Sequence, residues 1–110
     1  MIVIGDNDDD MVCVINKIRE MGGGMAISSN SEIIDCLKLD IAGIMSSDSI
    51  EDVEKNMKRL LKNARKLGIK EGIDPFMTMG FMALPVIPEI KITDKGLFDV
   101  NNFKHIDIEA

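Results

Sequence analysis

Near the start of the chain, in the stretch MIVIGDNDDDM, four aspartates fall within five residues: Asp6, Asp8, Asp9 and Asp10, with only Asn7 between them. Carboxylates this dense could ligate a metal ion, take part in phosphate chemistry through such an ion, or charge the first turn of a helix. An EF-hand calcium loop needs acidic ligands at its first, third and fifth positions, glycine at the sixth and glutamate at the twelfth. Counted from Asp6, the sixth position is Met11 and the twelfth is Lys17, where the bidentate carboxylate belongs. The spacing therefore fails for calcium. A helix start requires nothing further, because the unpaired N–H groups and the dipole of a helix N-terminus favour negative charge. Asn7 or Asp8 is then the cap, and the remaining aspartates line the first turn.

The other reactive residue types are sparse. His105 is the single histidine, in a segment patterned as a strand, and no zinc site or histidine-based triad can be assembled around it. Cys13 and Cys36 form no C-x-x-C pair and have no histidine at ligand spacing, so both read as reduced cytosolic cysteines. Gly22-Gly23-Gly24 follows a helical pattern with no Gly-Lys-Ser/Thr after it, which makes it a helix stop rather than a phosphate loop. No catalytic, cofactor-binding or metal-ligating residue is assigned. The acidic stretch also resembles the late magnesium-holding motif of haloacid-dehalogenase-type phosphatases. Those enzymes need a nucleophilic aspartate on a strand far upstream, and only a few residues precede Gly5 here.

The elements that carry these residues follow from periodicity. Ile2–Ile4 reads as a short buried strand. Met11, Val14, Ile15, Ile18 and Met21 recur at helical spacing over residues 8–21. The run MAISSNSEIIDCLKL reads as a hairpin turning at Ser29-Asn30-Ser31. A second helix starts at Asp48, with Glu51 three residues on, and aligns Ile50, Val53, Met57, Leu60, Leu61, Ala64 and Leu67 on one stripe. Glu51–Lys55 and Glu54–Lys58 are oriented ion pairs on its opposite face, and Gly68 closes it. Asp74-Pro75 opens a short third helix to about Ala83. Three strands end the chain, in EIKIT, GLFDV and FKHIDIE.

With 110 residues the chain is one domain, 1–110, with room for a single core. Apolar residues make up 45 % and charged residues 29 %, a globular balance that predicts an α+β fold: a mixed, largely antiparallel sheet of about six short strands with two to three helices. Nine methionines and only four phenylalanines, without Trp or Tyr, point to adaptable packing. The net charge of −6 excludes nucleic acid and anionic membrane as main partners, since both select basic surfaces. No signal or transit pattern is present. From Pro75 to Pro88 there is no charge at all, and fourteen residues interrupted by Pro85 and Pro88 are too few to span a bilayer. Most of this segment is expected in the domain's own core, with part free to pack on another domain.

Four blocks, GDNDDDM, INKIREMGGGMAI, DIAGIMS and above all DPFMTMGFMALPVIPEIKITDKGLFDV, resemble successive parts of the C-terminal domain of bacterial adenine deaminases, in order and over nearly the whole chain. The resemblance implies membership of the amidohydrolase superfamily. Its adenine deaminases hydrolyse adenine to hypoxanthine and ammonia in purine salvage, in the cytoplasm. Their manganese or iron is bound by histidines and carboxylates of a (β/α)8 barrel that precedes this domain. None of the barrel motifs is present, so no catalytic residue carries over and the chain alone is expected to be inactive. The domain is expected to pack on the barrel, with Phe76, Met77, Met79, Phe81 and Met82 as the candidate inter-domain contact. Three positions depart from the family pattern: Ser29-Asn30-Ser31 replaces a glycine-containing turn, Asp40 a proline, and Gly80 a serine. The alternative is a free-standing, non-enzymatic interaction module, homo-oligomeric through the same apolar segment.

Overall fold

A helix start held by side chains opens the structure, a computed structural model that describes residues 1–108. Asn7 caps helix α1 (Asp8–Met21), its side chain accepting from the Asp10 N–H at 2.8 Å. Asp8, Asp9 and Asp10 occupy the first turn. The helix stops where Gly22 turns left-handed at φ 79° and returns its N–H to the Arg19 carbonyl. Strands β1 (Gly24–Ser29) and β2 (Glu32–Lys38) then form an antiparallel hairpin with an irregularity between Ile27 and Ser28. Asn30 and Ser31 make the turn, both left-handed at φ 55° and 62°, the sense that matches the twist of two-residue hairpins.

Helix α2 (Ile50–Lys66) begins one residue later than the sequence reading placed it. Ser49 is the cap: its hydroxyl accepts from the Asp52 N–H at 3.2 Å and donates to the Asp52 carboxylate at 2.7 Å. A hydroxyl that both accepts and donates closes this reciprocal cap better than the Asp48 carboxylate, which can only accept. The Glu54–Lys58 pair forms at 2.6 Å. Helix α3 (Pro75–Met82) follows, and then β3 (Ile90–Thr93), β4 (Gly96–Asp99) and β5 (Lys104–Ile106), an antiparallel sheet in the order β3-β4-β5.

The α+β class stands, but the described residues hold five strands rather than six, in two wholly antiparallel sheets rather than one mixed sheet. Ile2–Ile4 is not a strand. Its β-branched residues suit extended backbone, but a strand exists only when a neighbour completes its ladder, and none of the described residues pairs with it. The contacts gather in two compact units, Val3–Pro75 with Met1, and Phe76 onward with Ile2.

In the first unit the core is small: Ile27, Leu37 and Leu39 from the hairpin and its exit, with Leu60 and Ala64 from α2. Only part of the predicted α2 stripe is interior. Leu60 is fully buried, whereas Ile50 at the first turn is 79 % exposed. The apolar segment 75–88 does not form a core either. None of its residues is buried, so the expectation that most of it lies inside is overturned. A unit of about thirty-five residues has too much surface for its volume to enclose so many large side chains.

Candidate functional site

Of the opening aspartates, Asp10 acts as a strut. Asp10 accepts the Ser31 N–H at 2.7 Å through one carboxylate oxygen and the Asn7 side-chain amide at 2.9 Å through the other. Its own carbonyl accepts the Ser28 hydroxyl at 2.8 Å. Asp10 thus ties the start of α1 to the tip of the β1–β2 hairpin. These hydrogen bonds, that from Asn7 foremost, hold its pKa below the ordinary 3.8. Among the described residues no three His, Cys, Asp or Glu side chains converge in a way that could hold a metal ion.

A second polar cluster was not anticipated. Asp35, mid-strand in β2 between apolar neighbours, has a side chain only 7 % exposed. Arg59 of α2 grips it with a fork, Nε at 2.9 Å from Oδ2 and Nη2 at 2.8 Å from Oδ1. The Asn63 amide donates to Oδ2 at 2.9 Å, and the backbone N–H of Cys36 to Oδ1 at 2.8 Å. Arg59 is the main cause of a lowered Asp35 pKa, against the opposing effect of burial. A carboxylate with all its partners supplied by the fold is a fastener between strand and helix. The sequence signal was one charged residue at an inward position of an apolar strand; its partners, 24 and 28 residues on, carry no signal of their own.

His105 lies exposed in β5, with Nδ1 3.3 Å from the Leu97 carbonyl and its ring edge-on to Phe98 at 5.2 Å. Phe98 also meets Phe103 edge-to-face at 5.2 Å. These rings, with Pro85, Val86, Thr93, Asp94 and Lys95, line an open cleft of about 340 Å³. The Thr93 hydroxyl is already engaged with the Gly96 carbonyl and the Lys95 N–H. No nucleophile–base pair converges there. Cys13 and Cys36 are both free thiols. Of the five α3 residues singled out in the sequence, Met77 and Phe81 are exposed at 54 % and 48 %, while Phe76, Met79 and Met82 are half-buried.

Among the described residues, Asp10 and Asp35 thus serve as fasteners, and α3 leaves apolar side chains at the surface. Over residues 1–104 the sequence matches the model of the adenine deaminase C-terminal domain. This chain belongs to that family. It is 50 % identical over 107 residues to an adenine deaminase of Clostridium acetobutylicum, covering 96 % of this chain and 19 % of that protein. It is 42 % identical over 109 residues to an adenine deaminase of Bacillus subtilis, covering 99 % and 19 %. A relative from Desulfatibacillum aliphaticivorans, also an adenine deaminase, is 44 % identical over 108 residues, again over 19 % of its length. As an adenine deaminase C-terminal domain, the chain spans about a fifth of the relatives it matches. No described helix is long and apolar enough to cross a membrane.

Proposed function

We propose that this chain serves as the C-terminal domain of an enzyme that hydrolyses adenine to hypoxanthine and ammonia in purine salvage, packed on the domain that performs the reaction. The observation that carries this reading is the family match from residue 1 to residue 104, at 37–50 % identity to proteins named adenine deaminase. Because the match runs through both compact units, we take them as one functional domain.

The reaction resides in the preceding metal-binding barrel. The manganese or iron implied for it finds no donor set among the described residues here, and we assign the steps of the hydrolysis to that barrel. Its contribution is structural: α3 presents Phe76, Met77, Met79, Phe81 and Met82 to the barrel. The exposure of Met77 and Phe81 supports that assignment, since large apolar side chains grouped at a surface mark interaction sites. An enzyme that salvages free adenine works in the cytoplasm, a compartment that suits two free thiols. The test is direct. The purified chain, incubated with adenine with and without manganese, releases no ammonia; metal-dependent ammonia release from a homogeneous sample overturns the placement of the chemistry.

A further inference from the structure

The segment Asp40–Ser47, DIAGIMS and its flanking serine, is a loop held unusually firmly for one that shows so much apolar surface. Asp40 clamps its two ends, accepting the Ser47 N–H at 2.9 Å and the Ser47 hydroxyl at 2.6 Å. Inside that clamp Ile41 and Met45 exchange backbone hydrogen bonds, at 2.9 and 3.1 Å, and the Ile44 N–H returns to the Ile41 carbonyl at 3.1 Å. Ala42 is left-handed at φ 54°, a conformation that costs an L-residue about 1 kcal/mol, and Gly43 follows at φ 74°. The loop also sits directly against the glycine stop of α1: a Cβ on Gly23 would fall 2.4 Å from the Gly43 Cα. Yet Ile41, Ile44 and Met45 remain 43 %, 73 % and 54 % exposed. Single exposed apolar residues need no explanation, but three within five residues on a fixed backbone form a patch.

We propose that the 40–47 loop is a preformed knob by which this domain seats on the remaining four-fifths of an adenine deaminase. The inference rests on the function proposed above and adds a second contact, on the other compact unit from α3. What points to this occupant is length: the matched relatives carry 81 % of their chain outside the region aligned here. A loop already fixed in its bound shape loses little conformational entropy on docking, so its three apolar side chains yield most of their burial as affinity.

The test places this chain in an enzyme. The last fifth of the Clostridium acetobutylicum adenine deaminase is replaced by this chain, and Ile44→Asp is introduced in the chimera and in the isolated chain. Ile44 is solvent-facing in the isolated chain, so its thermal midpoint there stays unchanged. In the chimera a carboxylate forced into an apolar seam loosens the docked domain, and limited proteolysis releases the 12.2 kDa fragment about tenfold faster than from the unsubstituted chimera. Met45→Asp gives the same pair of results. If the substituted chimeras release the fragment at the unsubstituted rate while Phe81→Asp accelerates it, the loop is not a contact and the domain reading survives. If the unsubstituted chimera neither deaminates adenine nor retains the domain against protease, the domain reading itself fails, and the loop contact with it.

Discussion

The same α2 stripe contains both the most and one of the least buried apolar side chains, which turns burial into a measurable contrast. Leu60 is fully buried and Ile50 is 79 % exposed. Leu60→Ala deletes three carbons from the interior, a transfer loss of about 2.4 kcal/mol at about 0.8 kcal/mol per group. The vacated space adds a cavity term, bringing the cost to about 3 kcal/mol, toward the lower end of what buried leucines show. With roughly 5–15 kcal/mol holding a domain of this size, that is about a fifth to three-fifths of its stability. Ile50→Ala removes side-chain carbons already in water and stays within about 0.5 kcal/mol. Urea unfolding followed by far-UV circular dichroism separates the two. With a slope of roughly 1–1.5 kcal/mol per M, Leu60→Ala lowers the midpoint by about 2–3 M and Ile50→Ala by less than about 0.5 M. Equal midpoint shifts for the two variants refute the burial argument, and with it the placement of the core between the hairpin and α2.

Asp35→Asn keeps the shape of the fastener but removes the charge from the Arg59 fork, and is expected to cost about 1–2 kcal/mol at neutral pH. Because the folded Asp35 pKa lies below its ordinary 3.8, the stability it lends is present above that value and is lost as pH falls through the lower folded value. The gap in urea midpoint between wild type and Asp35→Asn is therefore flat from pH 5 to 7 and closes below about pH 3.8; a gap that widens on acidification contradicts the assignment. Gly23→Ala must push its new Cβ into the Gly43 backbone from a φ of 134°, so a marked fall in thermal midpoint is expected, whereas a wild-type midpoint means that the loop is not anchored there. Gly80→Ala meets nothing within 4 Å and removes glycine from the interior of α3, so slower amide exchange in that helix is expected, up to about 1 kcal/mol; unchanged exchange argues against a stable α3.

Local rules made much of the fold legible. The helices over 8–21 and 75–82, the hairpin around Asn30, and the strands over 90–93, 96–99 and 104–106 all follow from side-chain period, caps and turn residues, which act within one or two turns of chain. The same rules placed a helix start at Asp8–Asp10, because capping and first-turn charge are local properties. They failed where the deciding partner is remote. Ile2–Ile4 is as β-prone as the true strands but has no ladder to join. The α2 stripe reads as uniformly apolar, yet only packing against the β1–β2 hairpin selects Leu60 and Ala64 as interior. The Asp35 fork required Arg59 and Asn63 to arrive from another element, and the firmness of the 40–47 loop required Ser47 to close on Asp40 and Gly43 to meet Gly23. By itself, then, the sequence determined most of the elements and, through four blocks in the family's order, the family. Tertiary structure decided which apolar residues are enclosed and which face outward, because burial depends on neighbours that chain-local chemistry does not specify.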